Sequence, residues 1–478
     1  MNKYIEASGS YKHFGVGGVE LIKRFDSKIG LSNAFRGKKI KGVALESIAK
    51  AVISEWIINP ASVRATVKNI SNNDEILKSV DLEKIELRTA YRALEIIGEH
   101  AESIHVEIIS MAEKHMDINL KQIYMDWSSS FFYGKKCKIA KKGYSRDHRP
   151  EKKQVKIGLV VNSSQAIPLY HSVLEGNVPD VPHFRNDFTR VQKDLPKGAL
   201  IVFDKGADCE ENRTCILDAK LHFLTAVKMY EPLKERIRKI DKSKMQEIGQ
   251  HKNGKKVFAY DWFDEGLNYT LYLDERRLVS DREKRERNIS KALKEYEEIY
   301  QLLEKKGTKA VQKKLSKKIK RVSKTCEYII QQNISIQKRL APKKNLLALL
   351  KKDVELDGMF VLVSSKKINP KKKLKIYRKK DIIEKMISDA KSVMKLRPFR
   401  VWNENEVRGC VLLKIIGILL VALLQMENKE IRNISKSTIV NMLKSLTVVV
   451  KINSLGAKTA LGYSNTTEIL VKILNLDT

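Results

Sequence analysis

The sequence has few cysteines and few prolines for its length, and too few acidic residues to balance its basic ones, and these shortages narrow its chemistry. Its 478 residues include five Cys and 10 Pro. The cysteines form no CxxC pair and have no His at ligand spacing, so we predict reduced thiols, no disulfide and no zinc site. No Gly-rich phosphate loop occurs, so nucleotide hydrolysis is not indicated. The first residues show no apolar signal-peptide core, and we expect a cytoplasmic protein.

Acidic residues are outnumbered by basic ones. Lys and Arg total 92 against 57 Asp and Glu, which gives a net charge of +35. Such a field attracts polyanions, and nucleic acid is the default partner, with a membrane surface as the weaker alternative. One apolar run, 407–426, is long enough to span a bilayer. Because Arg408 and Lys414 lie inside it and charges are costly in lipid, we predict a buried core helix.

Composition and periodicity divide the chain into five segments. The first is helical and could serve either DNA reading or packing. A mixed α/β core follows, and an insertion of a β-hairpin and long basic helices interrupts it. The lysine stripe on these helices could contact the DNA backbone or could simply be a solvent-exposed face, and the sequence favours neither interpretation. The predicted segments are 1–118 (helical), 119–231 (first part of the core), 232–356 (insertion), 357–430 (second part of the core) and 431–478 (C-terminal segment).

Two aspartates stand at informative places in the predicted core. Asp126 lies in the middle of a strand, where aspartate is unfavourable, so a functional role is the better interpretation. Asp204 follows the fully apolar strand 199–203, at the carboxyl end where α/β folds place their sites. Asp-Lys-Gly is also good turn chemistry, so Asp204 taken alone could be a turn residue.

A late segment, 377–391, contains no Gly or Pro and is predicted to form one helix. Helical geometry places Tyr377, Lys380, Glu384 and Lys391 in one narrow arc beside the apolar stripe. A carboxylate there could bind a metal, and the cations could hold phosphates. The alternative is a solvated helix edge.

Three carboxylates therefore stand out: Asp126, Asp204 and Glu384. Converging at one sheet edge, they could hold two divalent metals ~4 Å apart and support phosphodiester cleavage. Magnesium suits such an all-oxygen ligand set. Asp381 and Asp389 compete with Glu384, and only the Tyr–Lys–Glu–Lys spacing selects Glu384 over them.

Over residues 25–430 the sequence resembles DDE transposases of bacterial and archaeal insertion sequences, in the insertion-sequence-four group. The family's third acid sits in a pattern of Tyr, two residues, Arg, three residues, Glu, six residues, Lys. Here that pattern falls on Tyr377, Lys380, Glu384 and Lys391, with Lys380 where Arg is usual. Lysine keeps the positive charge but cannot form the two parallel hydrogen bonds that a guanidinium donates to a phosphate. The resembling stretches are YMDWSSSFF, GYSRDHRP, KIGLVV, PLYHSVLEGNVPD, IVFDKGA, LDGMFVLVSS and YRKKDIIEKMISDAKSVMKLRPF.

The resemblance implies a ribonuclease H-like catalytic core within a mixed α/β fold. The three acids would coordinate two Mg2+ ions, with Mn2+ as a substitute, while Tyr377, Lys380 and Lys391 position DNA phosphates. The enzyme would nick double-stranded DNA at the terminal inverted repeats, free a 3′-hydroxyl and join it to target DNA. It would work as a homodimer on DNA in the prokaryotic cytoplasm.

Two alternatives stay open. One is a nuclease on the same fold that cuts without joining. The other is a non-catalytic DNA-binding protein on a decayed transposase scaffold. In relatives the insertion handles the cleaved end, sometimes through a stacking Trp. The one Trp in this insertion, Trp262, suits a hairpin core better.

Overall fold

The computed structural model describes residues 10–37, 39–40, 42–134, 136–317, 347–348, 351–453, 456–464 and 467–476. The chain forms two compact units, one of residues 1–225 with 376–478 and the other of residues 226–375. The predicted insertion lies within the second unit. That unit also contains the strand Met359–Ser364, which pairs antiparallel with Leu267–Asp274. The prediction had assigned this strand to the second part of the core.

The first unit is built on a mixed sheet, as its alternating strand patterns predict. The first three strands in the chain make an antiparallel meander, and the next two join by parallel pairing. Helices connect the parallel strands, since parallel neighbours need a crossover. The strands lie in the spatial order Pro168–Glu175, Gln154–Asn162, Gln122–Phe131, Leu200–Phe203 and His222–Ala226.

Helices make up most of the rest of this unit, and short strands at both chain ends pair in a small antiparallel sheet. That sheet joins Ser10–Gly15 to Thr447–Ile452 and Lys458–Ser464, and Lys39–Ile40 pairs with Val43–Ala44. The first helices are Gly17–Ile29, Leu31–Ala34, Leu45–Ile58, Val63–Ser71, Asp74–Ser79, Leu87–Glu99 and Ala101–His115. The later ones are Asp180–Val191, Glu210–Asp218, Asp381–Ser392, Glu404–Glu427, Lys436–Ser445 and Glu468–Leu474.

The apolar run is a core helix, which confirms the prediction. Glu404–Glu427 begins with a capping box between Asn403 and Glu406. It is long and apolar enough to cross a membrane by composition, yet 94% of its most apolar window is buried in the protein. Gly409 allows the close approach of the helix Leu87–Glu99, because a Cβ there would lie 2.1 Å from the Leu94 carbonyl oxygen.

The second unit contains the predicted hairpin, Lys256–Asp264 with Leu267–Asp274. Trp262 is half-buried and stacks on Tyr269 across this hairpin with ring centroids 5.3 Å apart. The other elements are Gln246–Gln250, Met359–Ser364 and the helices Glu231–Arg238 and Glu275–Lys317, while Pro370–Arg378 crosses the unit boundary. Of the predicted helical pair over 277–350, the first helix is observed, and 318–346 lies outside the described residues.

Candidate active site

Strand register places the two aspartates side by side. Gln122–Phe131 and Leu200–Phe203 run parallel, and the last paired residues are Met125 and Phe203. One residue further on stand Asp126 and Asp204. Neighbouring strands lie ~4.8 Å apart, so the two carboxylates leave the sheet at the same edge. Asp126 is buried, and its Oδ1 accepts the Trp127 backbone N–H at 2.9 Å.

The prediction of one helix over 377–391 is wrong. One helix ends at Arg378 and the next, Asp381–Ser392, begins after a turn at Lys379 and Lys380. In this turn the N–H groups of Lys379 and Lys380 donate to carbonyls three residues back, at 3.1 and 3.0 Å. This tighter winding brings the ends of Tyr377 and Lys380 to one atom, Asp204 Oδ1, at 3.2 and 3.5 Å.

One ammonium group lies among all three predicted acids. Lys380 Nζ is 3.5 Å from Asp204 Oδ1 and 3.1 Å from Glu384 Oε1. These two oxygens can therefore be no farther apart than the sum of those distances. Asp126 also acts on Lys380 electrostatically. The structure thus pairs two of the three carboxylates with one cation, and the charge of the third acts on the same cation.

The charges of this cluster set its protonation. Burial alone would lower the pKa of Lys380, but the carboxylates of Asp126, Asp204 and Glu384 raise it above its ordinary value. Burial would raise the pKa of Asp204, yet the Lys380 charge and the Lys205 N–H hold it below the usual range.

Two other groups of the cluster, Asp126 and Tyr377, are shifted toward their protonated forms. For Asp126, burial dominates and raises the pKa against the opposing charges of Lys380 and Arg146. Burial and then the Asp204 charge raise the pKa of Tyr377, so its hydroxyl stays protonated and donates to Asp204.

The donor set fits a divalent cation in its chemistry. Carboxylate oxygens are the ligands that Mg2+ prefers, and this set already shares one positive charge. Among the described residues, no three His, Cys, Asp or Glu side chains are spaced to hold one metal ion as they stand. Two of the three predicted acids, Asp204 and Glu384, are paired with the Lys380 ammonium, so a metal bound by both would replace that ion pair.

Lys391 lies elsewhere. Its Nζ donates to Ser129 O at 2.5 Å and to Asp147 Oδ1 at 2.9 Å, and the side chain is buried. Burial lowers the pKa of Lys391, although the Asp147 carboxylate opposes this. Tyr377, Lys380 and Glu384 therefore lie in one cluster. Lys391 lies outside it and contacts Ser129, which is three residues after Asp126 on the strand Gln122–Phe131.

Sequence reasoning missed a second group of charged residues at this edge. Arg146 Nη1 lies 3.6 Å from Asp126 Oδ1, and its Nη2 lies 3.5 Å from Asp180 Oδ2. Asp180 also pairs with Lys156 at 2.7 Å. Asp147 and Asp180 were not among the candidate acids predicted from the sequence. Arg146 and Asp147 stand in GYSRDHRP, so that motif was the available signal for this group.

The competing acids have partners away from the cluster. Asp381 pairs with Lys385 on the solvent side, at 2.6 Å. The ammonium groups that act on Asp389 belong to Lys436 and Lys385. Neither acid contacts Lys380 in any contact that the structure describes, whereas Glu384 pairs with it at 3.1 Å.

Comparison with known proteins identifies a family and a similar solved structure. Residues 121–420 match the family model of the transposase DDE domain. No curated protein matches the chain. Among solved structures, the chain is similar to a piggyBac transposase in a synaptic complex with hairpin DNA, determined by cryo-electron microscopy. The identity is 12%, the TM-score is 0.43, and the alignment covers 90% of this chain and 79% of that one.

Proposed function

This chain belongs to the transposase DDE domain family, and on that premise we propose that it cuts DNA at the ends of a mobile element and joins the freed 3′-hydroxyl to target DNA. The observation that carries the proposal is the convergence of Asp126, Asp204 and Glu384 on one ammonium group at a sheet edge. Paired carboxylates at such an edge suit metal-assisted phosphoryl transfer.

The core is proposed to be ribonuclease H-like. The supporting observation is its strand order, in which three antiparallel strands are extended by two parallel ones on the side of the first strand. The first acid lies on that first strand and the second at the end of its parallel neighbour. The third comes from a helix that packs against the same strand.

Each residue of the cluster receives a role. Asp126, Asp204 and Glu384 would hold Mg2+, with Mn2+ as a substitute. A divalent ion bound there lowers the pKa of a water or hydroxyl nucleophile and stabilises the leaving oxygen. Tyr377 orients Asp204 through its hydrogen bond, so the same carboxylate oxygen always faces the site. Lys380 neutralises the acids in the free protein and, once displaced, supplies a cation to a DNA phosphate.

The partner is double-stranded DNA, both the terminal inverted repeats and the target. The net charge of +35 supports this, because phosphate neutralisation supplies much of the affinity for DNA. We further propose that the protein belongs to a prokaryotic insertion sequence of the insertion-sequence-four group, and the spacing of Tyr377, Lys380, Glu384 and Lys391 supports this. It would act as a homodimer on DNA in the cytoplasm, at the nucleoid.

The test is cleavage and joining of a labelled duplex that carries the ends of the protein's own element, in Mg2+. The wild type should cut at the ends and join them to a target plasmid. Asp204→Asn and Glu384→Gln should retain DNA binding but lose cleavage by on the order of a thousandfold or more, as the loss of a catalytic group does. The matched control is Asp381→Asn, on the same helix but paired with Lys385, and it should cut normally.

Other outcomes point to the alternatives. Cutting without joined products would make the protein a nuclease. Tight binding of the ends without cutting by the wild type would make it a DNA-binding protein on an inactive scaffold. Cleavage that survives Glu384→Gln but is lost in Asp381→Asn would show that the wrong third acid was chosen.

A further inference from the structure

The loop before the strand Gln154–Asn162 carries Arg146, whose guanidinium lies beside Asp126 in long contacts. Arg146 lies 3.6 Å from Asp126 and 3.5 Å from Asp180, both longer than an ordinary N–H···O bond. A guanidinium carries five N–H donors, and this side chain is 37% exposed. Arg146 therefore keeps donors for a ligand that enters from solvent.

Both acids near Arg146 have closer partners of their own. Asp180 Oδ1 accepts from Lys156 Nζ at 2.7 Å. Asp126 accepts the Trp127 N–H at 2.9 Å and is stabilised by the charge of Lys380. Asp180 keeps its pair with Lys156 when the guanidinium leaves, and Asp126 keeps the charge of Lys380, which opposes burial more strongly than the charge of Arg146 does.

The backbone around Arg146 is, by contrast, firmly held. The Arg146 N–H donates to Ser129 Oγ at 2.9 Å. The next residue, Asp147, is buried and accepts from both Lys391 Nζ at 2.9 Å and Arg397 Nη1 at 2.6 Å. A buried carboxylate with two cationic partners is costly to disrupt. The main chain is thus fixed on both sides of a side chain that is free to turn.

We propose that Arg146 is a substrate ligand that leaves Asp126 and binds a phosphate of the DNA strand lying at the three carboxylates. The planar fork of arginine matches two phosphate oxygens, which an ammonium group cannot do. The cation paired with Glu384 is the ammonium of Lys380, and Arg146 adds a guanidinium beside Asp126. This inference rests on the proposed function.

Lys391 would then act on DNA through the loop of Arg146, whereas the motif resemblance implies that it contacts a DNA phosphate directly. Its ammonium is occupied by Ser129 O and Asp147, both of which hold the loop that carries Arg146. We assign Lys391, Asp147 and Arg397 as positioning residues, which act on DNA through Arg146.

The test measures binding of the element-end duplex over a range of salt concentrations, in Ca2+ so that no strand is cut. Loss of one phosphate contact should reduce the slope of log K against log salt by about one and weaken binding roughly tenfold. We expect this for Arg146→Ala. The matched control is Arg149→Ala, in the same loop and with the same change of charge, since Arg149 pairs with Glu151 at 2.7 Å. Its slope should match the wild type.

A second readout separates a lost ligand from a damaged loop. Without DNA, Mn2+ titrated by calorimetry should bind Arg146→Ala several-fold more tightly than the wild type, because a positive charge beside Asp126 is gone. A collapsed loop would weaken both Mn2+ and DNA binding. Arg146→Lys keeps the charge and loses the fork, so it should bind DNA at an intermediate affinity.

The outcomes distinguish the two proposals. An unchanged slope in Arg146→Ala, or an equal loss in Arg149→Ala, overturns this inference while wild-type cleavage leaves the proposed function standing. Weaker binding of both DNA and Mn2+ by Arg146→Ala also overturns it. A wild type that neither binds nor cuts the ends overturns both.

Discussion

The ammonium of Lys414 is buried in the core helix and holds the chain just after the helix of Glu384. Its Nζ donates to the carbonyl oxygens of Met394 and Lys395, both at 2.8 Å, and lies 4.8 Å from the ring centroid of Trp56. Replacing Lys414 with Met keeps the apolar stem and removes the charge. The structure therefore predicts how the stability of the protein changes with pH.

The magnitude follows from protonation. Burial lowers the pKa of Lys414 from 10.5 to about 8. Between these values the unfolded state holds a proton that the folded state has released, so the free energy of unfolding rises with pH across this window. The gain is about 3 kcal/mol, at ~1.4 kcal/mol for each unit of pKa. Lys414→Met has no proton to exchange and lacks this gain.

At pH 7 the substitution has two opposed effects. It removes the cost of a buried charge, about 3 kcal/mol, and it leaves two carbonyl oxygens without their donor, at about 1–3 kcal/mol each. The net change at pH 7 is accordingly small. The pH dependence is the sharper quantity, since it isolates the one proton.

The assay is urea unfolding of the wild type and Lys414→Met from pH 7 to pH 10.5. The difference in unfolding free energy, wild type minus variant, should move in favour of the wild type by about 3 kcal/mol. Titrations elsewhere in the protein cancel, since both proteins share them. Lys429→Met, at an exposed position just beyond this helix, is the control and should track the wild type. A difference that stays flat across the range would refute the burial argument.

Two further predictions concern the packing around the first core strands. Gly158→Ala should lower the unfolding free energy by about 2–3 kcal/mol, because the new Cβ would lie 2.5 Å from both Asp187 Oδ2 and Ser172 Oγ; an unchanged Tm would contradict this. Burial lowers the pKa of both His105 and His171, to about 4 for His105. The unfolded state then binds more protons below pH 6.5, so the wild type should lose about 3 kcal/mol between pH 6.5 and pH 4 through His105. His105→Leu should show a smaller loss, and equal acid sensitivity of the two proteins in thermal melts would count against it.

Local patterns were enough to place most elements of the chain. Alternation predicted the three-strand meander, and the fully apolar run 199–203 predicted the buried parallel strand beside it. Two charged residues within 407–426 led us to predict a core helix instead of a membrane span. The burial of that helix confirms this prediction. These features depend on hydrogen bonds and burial that repeat every two to four residues, and such periods are readable from sequence.

The same reasoning went wrong where local and distant contacts compete. Residues 377–391 have uninterrupted helical periodicity, yet the helix breaks at Lys379 and Lys380. The turn lets Lys380 and Tyr377 reach Asp204, which lies far away in the sequence. Periodicity shows how a segment packs along its own length. It gives no information about contacts with one distant atom, such as the contacts of Tyr377 and Lys380 with Asp204 Oδ1.

By itself, the sequence determined the charge of this protein, the order of its elements and the three acids worth examining, because composition, periodicity and an aspartate inside a strand are local properties. Only the tertiary structure decided that Lys380 sits among those acids, that Lys391 is occupied by Asp147, and that Arg146 reaches Asp126. Lys391 and Asp147 are 244 positions apart. Such contacts are created when strand register and helix packing bring distant segments together, and they leave no periodic signal in the chain.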